Sequence, residues 1–188
     1  MNYTVFDAAE PPSAPPVFAQ GAMGYLGGPR AARAWTLDEW LPFRGLKQYG
    51  IYVPDIGADP QQQGQDAAEL AVALGWSDKM AGDEQRAIII DMETSVDAAW
   101  YKSIAAAVGA RGFMPVCYGS LDTVLGNAAS DVLAAEWINN PAMPAGQTLH
   151  GNQYQANVAF LGTIIDKSVI DGWLYKRGGV GPRRAVAQ

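Results

Sequence analysis

Short apolar runs recur eight times along the chain, most of them separated by enough residues for a helical turn or a full helix. They are YTVFD (3–7), AMGYLGG (22–28), KQYGIYVPD (47–55), RAIIIDMET (86–94), FMPVCYGS (113–120), DVLAAEWIN (131–139), TLHGNQYQ (148–155) and TIIDKSVID (163–171). A strand that is apolar at consecutive positions is buried on both faces, as in a parallel sheet covered by helices. Intervening helices are read at TLDEWLPFRGL (36–46), where Thr36 precedes two first-turn acids, at DAAELAVALGW (66–76), and at VDAAWYKSIAAAVGARG (96–112). Gly109 or Gly112 supplies the stop of the last of these. GADPQQQGQ, before the second helix, reads as a polar loop.

Eight such units predict an α/β fold, a compact (β/α)8 TIM-like barrel, with an open doubly wound sheet as the alternative. A chain of 188 residues is short for that barrel, which typically needs ~250. Several helices are therefore expected to be shortened to turns, above all after strands 1, 5 and 6. The barrel is expected to occupy residues 1–175. Residues 176–188, with Lys176, Arg177, Arg183 and Arg184 among glycines and a proline, read as a flexible basic tail.

With 49% hydrophobic and 17% charged residues, the chain is expected to be one globular domain with a sizeable core. A net charge of −6 argues against nucleic acid as a partner. No apolar run approaches the ~18 residues of a membrane span, so no membrane partner is expected. MNYTVFDAAEPP lacks the basic start and apolar centre of a signal peptide. Action outside a cell would then require lysis or assembly into a particle. One cysteine, Cys117, and one histidine, His150, leave no disulfide and make a zinc site or a Ser-His-Asp triad hard to build. Both residues read as packing. YLGG lacks the lysine of a phosphate loop. No metal or cofactor is expected, and the chemistry falls to carboxylates.

In a parallel barrel the functional groups sit at the C-terminal ends of the strands. Those ends carry Asp7, Asp55, Asp91 with Glu93, Tyr118, Glu136 with Trp137, Gln153 with Tyr154, and then Asp166 and Asp171. Asp91 and Glu93 stand one residue apart and so point to one side of their strand. Burying two like charges together is costly unless the position uses them. A pair of carboxylates, one protonated and one ionised, is the usual apparatus for cleaving a glycosidic bond. Tyr118, Trp137 and Tyr154 suit the apolar faces of sugar rings; Gln153 and Asn139 suit their hydroxyls. Alternation sets Glu136 against Trp137 and Gln153 against Tyr154, with Trp137 the favoured inward residue. The structural alternative pairs Asp91 and Glu93 with Arg30, Arg44 or Arg111, and makes Asp7 a cap on the proline-rich connector.

VFD, YLGG, IIIDMET, PVCYGS, AEWIN, GNQYQ and IIDKSVID, in that order over most of residues 3–175, resemble the glycoside-hydrolase-like barrels of actinobacteria and their phages. These are similar to the family 25 lysozymes, which cleave the sugar backbone of peptidoglycan. The resemblance implies Glu93 as general acid, Asp91 as its electrostatic partner and Asp7 as the first-strand acid. It implies that Tyr118, Trp137 and Gln153 line a sugar cleft, with Asp166 or Asp171 as the last-strand acid. Ala9 stands where the lysozymes usually carry a serine. The implied partner is cell-wall glycan. A barrel that binds glycan without cleaving it, or that serves as a structural part of a phage particle beside other phage proteins, is the alternative.

Overall fold

The computed structural model describes residues 1–77, 85–92, 97–126, 132–135 and 149–179. Eight strands close into a barrel in sequential order. They are β1 (Tyr3–Ala8), β2 (Gly21–Gly27), β3 (Lys47–Tyr52), β4 (Ala87–Asp91), β5 (Met114–Ser120), β6 (Val132–Ala135), β7 (Gly151–Phe160) and β8 (Thr163–Ile170). The helices are α1 (Leu37–Trp40), α2 (Pro60–Ala73), α3 (Ala98–Ala110), α4 (Leu121–Gly126) and α5 (Gly172–Lys176). The TIM-like barrel with shortened helices is therefore what the chain forms. No helix separates β1 from β2, and α1 is a single turn continued by a 3-10 turn, Leu41–Phe43.

The first seven strands are parallel, but β8 runs antiparallel to both β7 and β1. The reason lies in the connection. Only Leu161 and Gly162 join β7 to β8, at φ 46° and 82°. Two consecutive positive φ values make a tight hairpin whose twist matches its strands, and two residues are far too few for a parallel crossover.

Strand alternation sorts the apolar residues into two layers. Val5, Met23, Tyr49, Ile51, Ala87, Ile89, Val116 and Ile170 fill the barrel interior. Phe6, Ala22, Leu26, Tyr52, Ile88, Ile90 and Cys117 face the outer shell. Where long helices are missing, aromatic rings cover the barrel. Trp35 meets Trp40 in a tilted contact at 4.8 Å, Trp40 meets Trp76 at 5.0 Å, and Phe43 meets Phe6 at 5.6 Å.

Helix α2 begins earlier than the sequence pattern indicates. Asp59 accepts a hydrogen bond from Gln61 N and Pro60 takes the first helical position, so much of the expected polar loop is helix. Gly64 lies against α3, where an added Cβ would stand 2.5 Å from Ile104 O and 2.6 Å from Ala107 Cβ. Helix α3 is capped by Asp97 and ends before Gly112 at φ 87°.

The N-terminal end of the barrel is closed by α5, whose Leu174 enters the interior layer. The boundary expected at 175/176 falls within this helix, and the chain stays attached beyond it. Arg177 O accepts from Ala87 N, and Gly179 exchanges backbone hydrogen bonds with Gln48. Residues 180–188 of the expected tail lie outside the described residues. Among the described residues no helix is long and apolar enough to cross a membrane.

Candidate active site

Inward-facing positions at the C-terminal rim of β1, β2, β4, β5 and β7 carry Asp7, Tyr25, Asp91, Tyr118 and Gln153. Each follows its interior-layer neighbours by the strand period of two, as Asp91 follows Ala87 and Ile89. Asp166 of β8 joins them because it pairs with Asp7 in the antiparallel register. The arrangement is anchored at β4 and β5, where Asp91 pairs with Tyr118 and Met92 N donates to Tyr118 O at 2.7 Å. Gly119 permits this approach, because a Cβ there would lie 2.4 Å from Met92 O.

Asp7, Tyr25, Tyr118 and Asp166 keep part of their surface open at the mouth, while Asp91 and Gln153 are buried. Beside Asp91 a cavity of about 240 Å³ is lined by Ala9, Tyr25, Val53 and the Arg30–Arg33 loop. Arg33 is engaged with Glu39, and Arg111 pairs with Glu69 at 3.1 Å on the outer surface. Arg111 is thus not the structural partner of the β4 acid.

Burial pushes the Asp7 carboxyl well above the usual carboxylate range, and the facing acids Asp166 and Asp91 push it further. Burial also raises Asp166, but hydrogen bonds from Asn157 N at 2.6 Å and Gln153 Nε2 at 2.7 Å act in the opposite direction. The Tyr118 hydroxyl is pushed far up by burial, then by Asp7, Asp91 and Asp166, and so remains a donor. It donates to Gln153 Oε1. Three carboxyls in one mouth, with unequal hydrogen-bond support, can supply one protonated and one ionised group side by side. Among the described residues no three His, Cys, Asp or Glu side chains are placed to hold a metal ion.

Of the residues singled out in the sequence, the structure brings together Asp7, Asp91, Tyr118, Gln153 and Asp166. It does not bring Asp171 to them. Because β8 is antiparallel, its C-terminal end lies at the opposite end of the barrel. There Asp171 caps α5 through Leu174 N at 2.8 Å and meets His150 Nδ1 at 3.0 Å, with His150 stacked on Trp173 at 3.8 Å. Asp55 likewise serves its own turn, accepting from Gly57 N. Glu93 and Trp137 lie outside the described residues, as do Glu136 and Asn139. Sequence reasoning missed Tyr25 and Asn157. Tyr25 was open to the same period-two count from Met23, whereas the role of Asn157 depends on a backbone bulge.

No protein-family model matches the sequence, and a search of curated proteins finds no similar one. Solved structures do share the fold. An uncharacterized protein of B. stearothermophilus superposes at TM-score 0.71 with 18% identity, covering 94% of this chain and 100% of its own. The modular autolysin LytC from Streptococcus pneumoniae, solved with a synthetic peptidoglycan ligand, gives TM-score 0.62 and 11% identity over 89% of this chain. This chain spans 46% of LytC. A family 25 glycosyl hydrolase from Bacillus anthracis gives TM-score 0.58 and 11% identity, covering 82% of this chain and 79% of that one. At 11–18% identity these matches show a shared barrel fold.

Proposed function

We propose that the chain is a metal-independent glycoside hydrolase acting on peptidoglycan or a related cell-wall glycan. The observation that carries this reading is the convergence of Asp7, Asp91 and Asp166 on one open barrel mouth, with Tyr118 and Gln153 beside them. Glu93, two positions beyond Asp91, is assigned the role of general acid. Asp91 stabilises the positive charge that develops on the sugar, and Asp7 is the accompanying first-strand acid. Tyr118, Gln153 and Trp137 are assigned to the sugar rings and hydroxyls.

The reading is tested by incubating the protein with purified peptidoglycan and measuring new reducing ends. The wild type should release them, while Asp91→Asn and Glu93→Gln should abolish release with the circular dichroism spectrum retained. Release that is absent in the wild type, or equal in the variants, would remove the enzymatic reading.

Ala9, which stands where the family 25 lysozymes usually carry a serine, favours a second reading. The barrel would then hold glycan without cutting it, alone or as part of a phage particle. Sedimentation with cell walls without new reducing ends, or co-purification with virions, would establish that alternative.

A further inference from the structure

Strand β7 leaves regular pairing with β8 twice, between Gln153 and Gln155 and again between Gln155 and Val158. Asn157 lies in the second irregularity at φ 59°, a left-handed conformation that asparagine tolerates better than most residues. Its N–H turns to Asp166 Oδ1 at 2.6 Å. Before the bulge, Gln153 remains on the interior face, where its Nε2 donates to Asp166 Oδ2 at 2.7 Å. The Tyr118 hydroxyl donates to the amide oxygen of Gln153 and so sets which end of the amide meets the acid. Each oxygen of Asp166 therefore has its own N–H donor. Directly across the β1–β8 register stands Asp7, and among the described residues no hydrogen bond reaches its carboxyl.

We infer that the bulged segment of β7 fixes Asp166 as the ionised carboxylate of the mouth and leaves the shared proton on Asp7, with Asn157 and Gln153 as positioning residues. A carboxylate that accepts an N–H at both oxygens is favoured as the anion. A carboxyl facing that anion without donors of its own keeps its proton. The groups that face Asp166 are consistent with this assignment. These are Asp7 from β1 and Tyr118 from β5, while Tyr25 of β2 and Asp91 of β4 stand elsewhere on the rim. Lys167, its neighbour on β8, turns instead to the ring of Phe18, with Nζ 4.8 Å from the centroid. The direction of the Asp7 shift, well upward from burial and then from Asp166 and Asp91, agrees.

The proton assignment does not depend on the glycosidase reading. The test is a carbon-13 titration of the aspartate carboxyls in the full chain, in the wild type and in Gln153→Met, Asn157→Val and Asn157→Gly. In the wild type Asp166 should titrate below Asp7. Gln153→Met and Asn157→Val should move Asp166 upward and Asp7 downward. Asn157→Gly, which keeps both the backbone conformation and the N–H, should leave both at their wild-type positions. Should the buried Gln153→Met fail to fold, the exposed Asn157 pair decides the matter. Asp7 titrating below Asp166 in the wild type, or Asp166 unmoved in Asn157→Val, would overturn the inference. A protein that shows the expected titrations but releases no reducing ends would lose the glycosidase reading and keep the proton assignment.

Discussion

Asp7→Asn should stabilise this protein at neutral pH and leave it unchanged in acid. Burial raises the Asp7 carboxyl first, and Asp166 and Asp91 raise it further, so the folded state binds its proton more tightly than the unfolded chain does. A carboxyl of this kind contributes stability that is complete below its unfolded value of ~3.9. The contribution is lost as pH climbs through the raised folded value. One proton separates the two states, so the loss proceeds at up to ~1.4 kcal/mol per pH unit across that window. Asparagine has nearly the same shape and carries no charge at any pH, so the variant escapes the loss. For a chain of this length ~1 kcal/mol moves the melting temperature by ~2–4 °C. The two melting curves should therefore separate by ~3–6 °C for each pH unit inside the window.

Thermal unfolding followed by circular dichroism, in buffers from about pH 3 to about pH 8, reads this directly. The wild type and variant should coincide at the acid end, diverge above pH ~4, and run parallel again once Asp7 is ionised in both states. Glu39 is present in both proteins and cancels in the difference, whereas Asp166, which faces Asp7, is part of the effect being measured. A separation that is constant across the range would mean that Asp7 carries no raised pKa. A wild type more stable than the variant at neutral pH would refute the picture of a strained acid cluster. The expected result is the familiar exchange of stability for a poised site.

Two further substitutions test how the scaffold is held. Gly64→Ala should lower stability by roughly 1–2 kcal/mol in urea unfolding, because the ~1 kcal/mol gained in helix propensity is outweighed by overpacking against α3. The new Cβ would stand 2.5 Å from the backbone oxygen of Ile104, and a higher unfolding midpoint would mean that the helices separate freely. Asp59→Ala removes the side chain that caps α2 through Gln61 N at 2.9 Å. It should cost ~1 kcal/mol, a fall of ~2–4 °C in the melting temperature, with little change in the pH dependence.

The strands were legible because burial on both faces leaves little choice of residue. The interior layer takes Val5, Ile89 and Val116, and the outer shell takes Phe6, Ile88, Ile90 and Cys117. Reading the ends of those runs placed Asp7, Asp91, Tyr118 and Gln153 at the rim. The start of α2 was hidden for a physical reason. Its buried stripe is Gln63, Gly64, Ala67, Ala68 and Ala71, small or polar groups that suit a close helix contact but leave almost no hydrophobic period to read. Tyr25 lay within reach of the same count from Met23, whereas Asn157 joins the site only through Asp166 across the hairpin. Asn157 in particular depends on its left-handed backbone, which composition does not reveal.

The antiparallel course of β8 accounts for both the error over Asp171 and the placing of Asp166. Taking the end of each run as the functional rim holds while strands are parallel, so it selects Asp171, which β8 carries to the closed end of the barrel. Pairing with β1 stops at Asp7 and Asp166, whereas pairing with β7 continues outward to Phe160 and Thr163. The hairpin therefore rises past the rim, and Asp166 sits mid-strand at the level where β1 ends. A parallel eighth strand would have met the rim with a loop leading into a helix. The hairpin instead carries β7 onward beside the acid, and it is this continuing strand that supplies the Asn157 N–H. The departure from an all-parallel barrel is thus what gives the last-strand acid its second donor and sets it apart from Asp7.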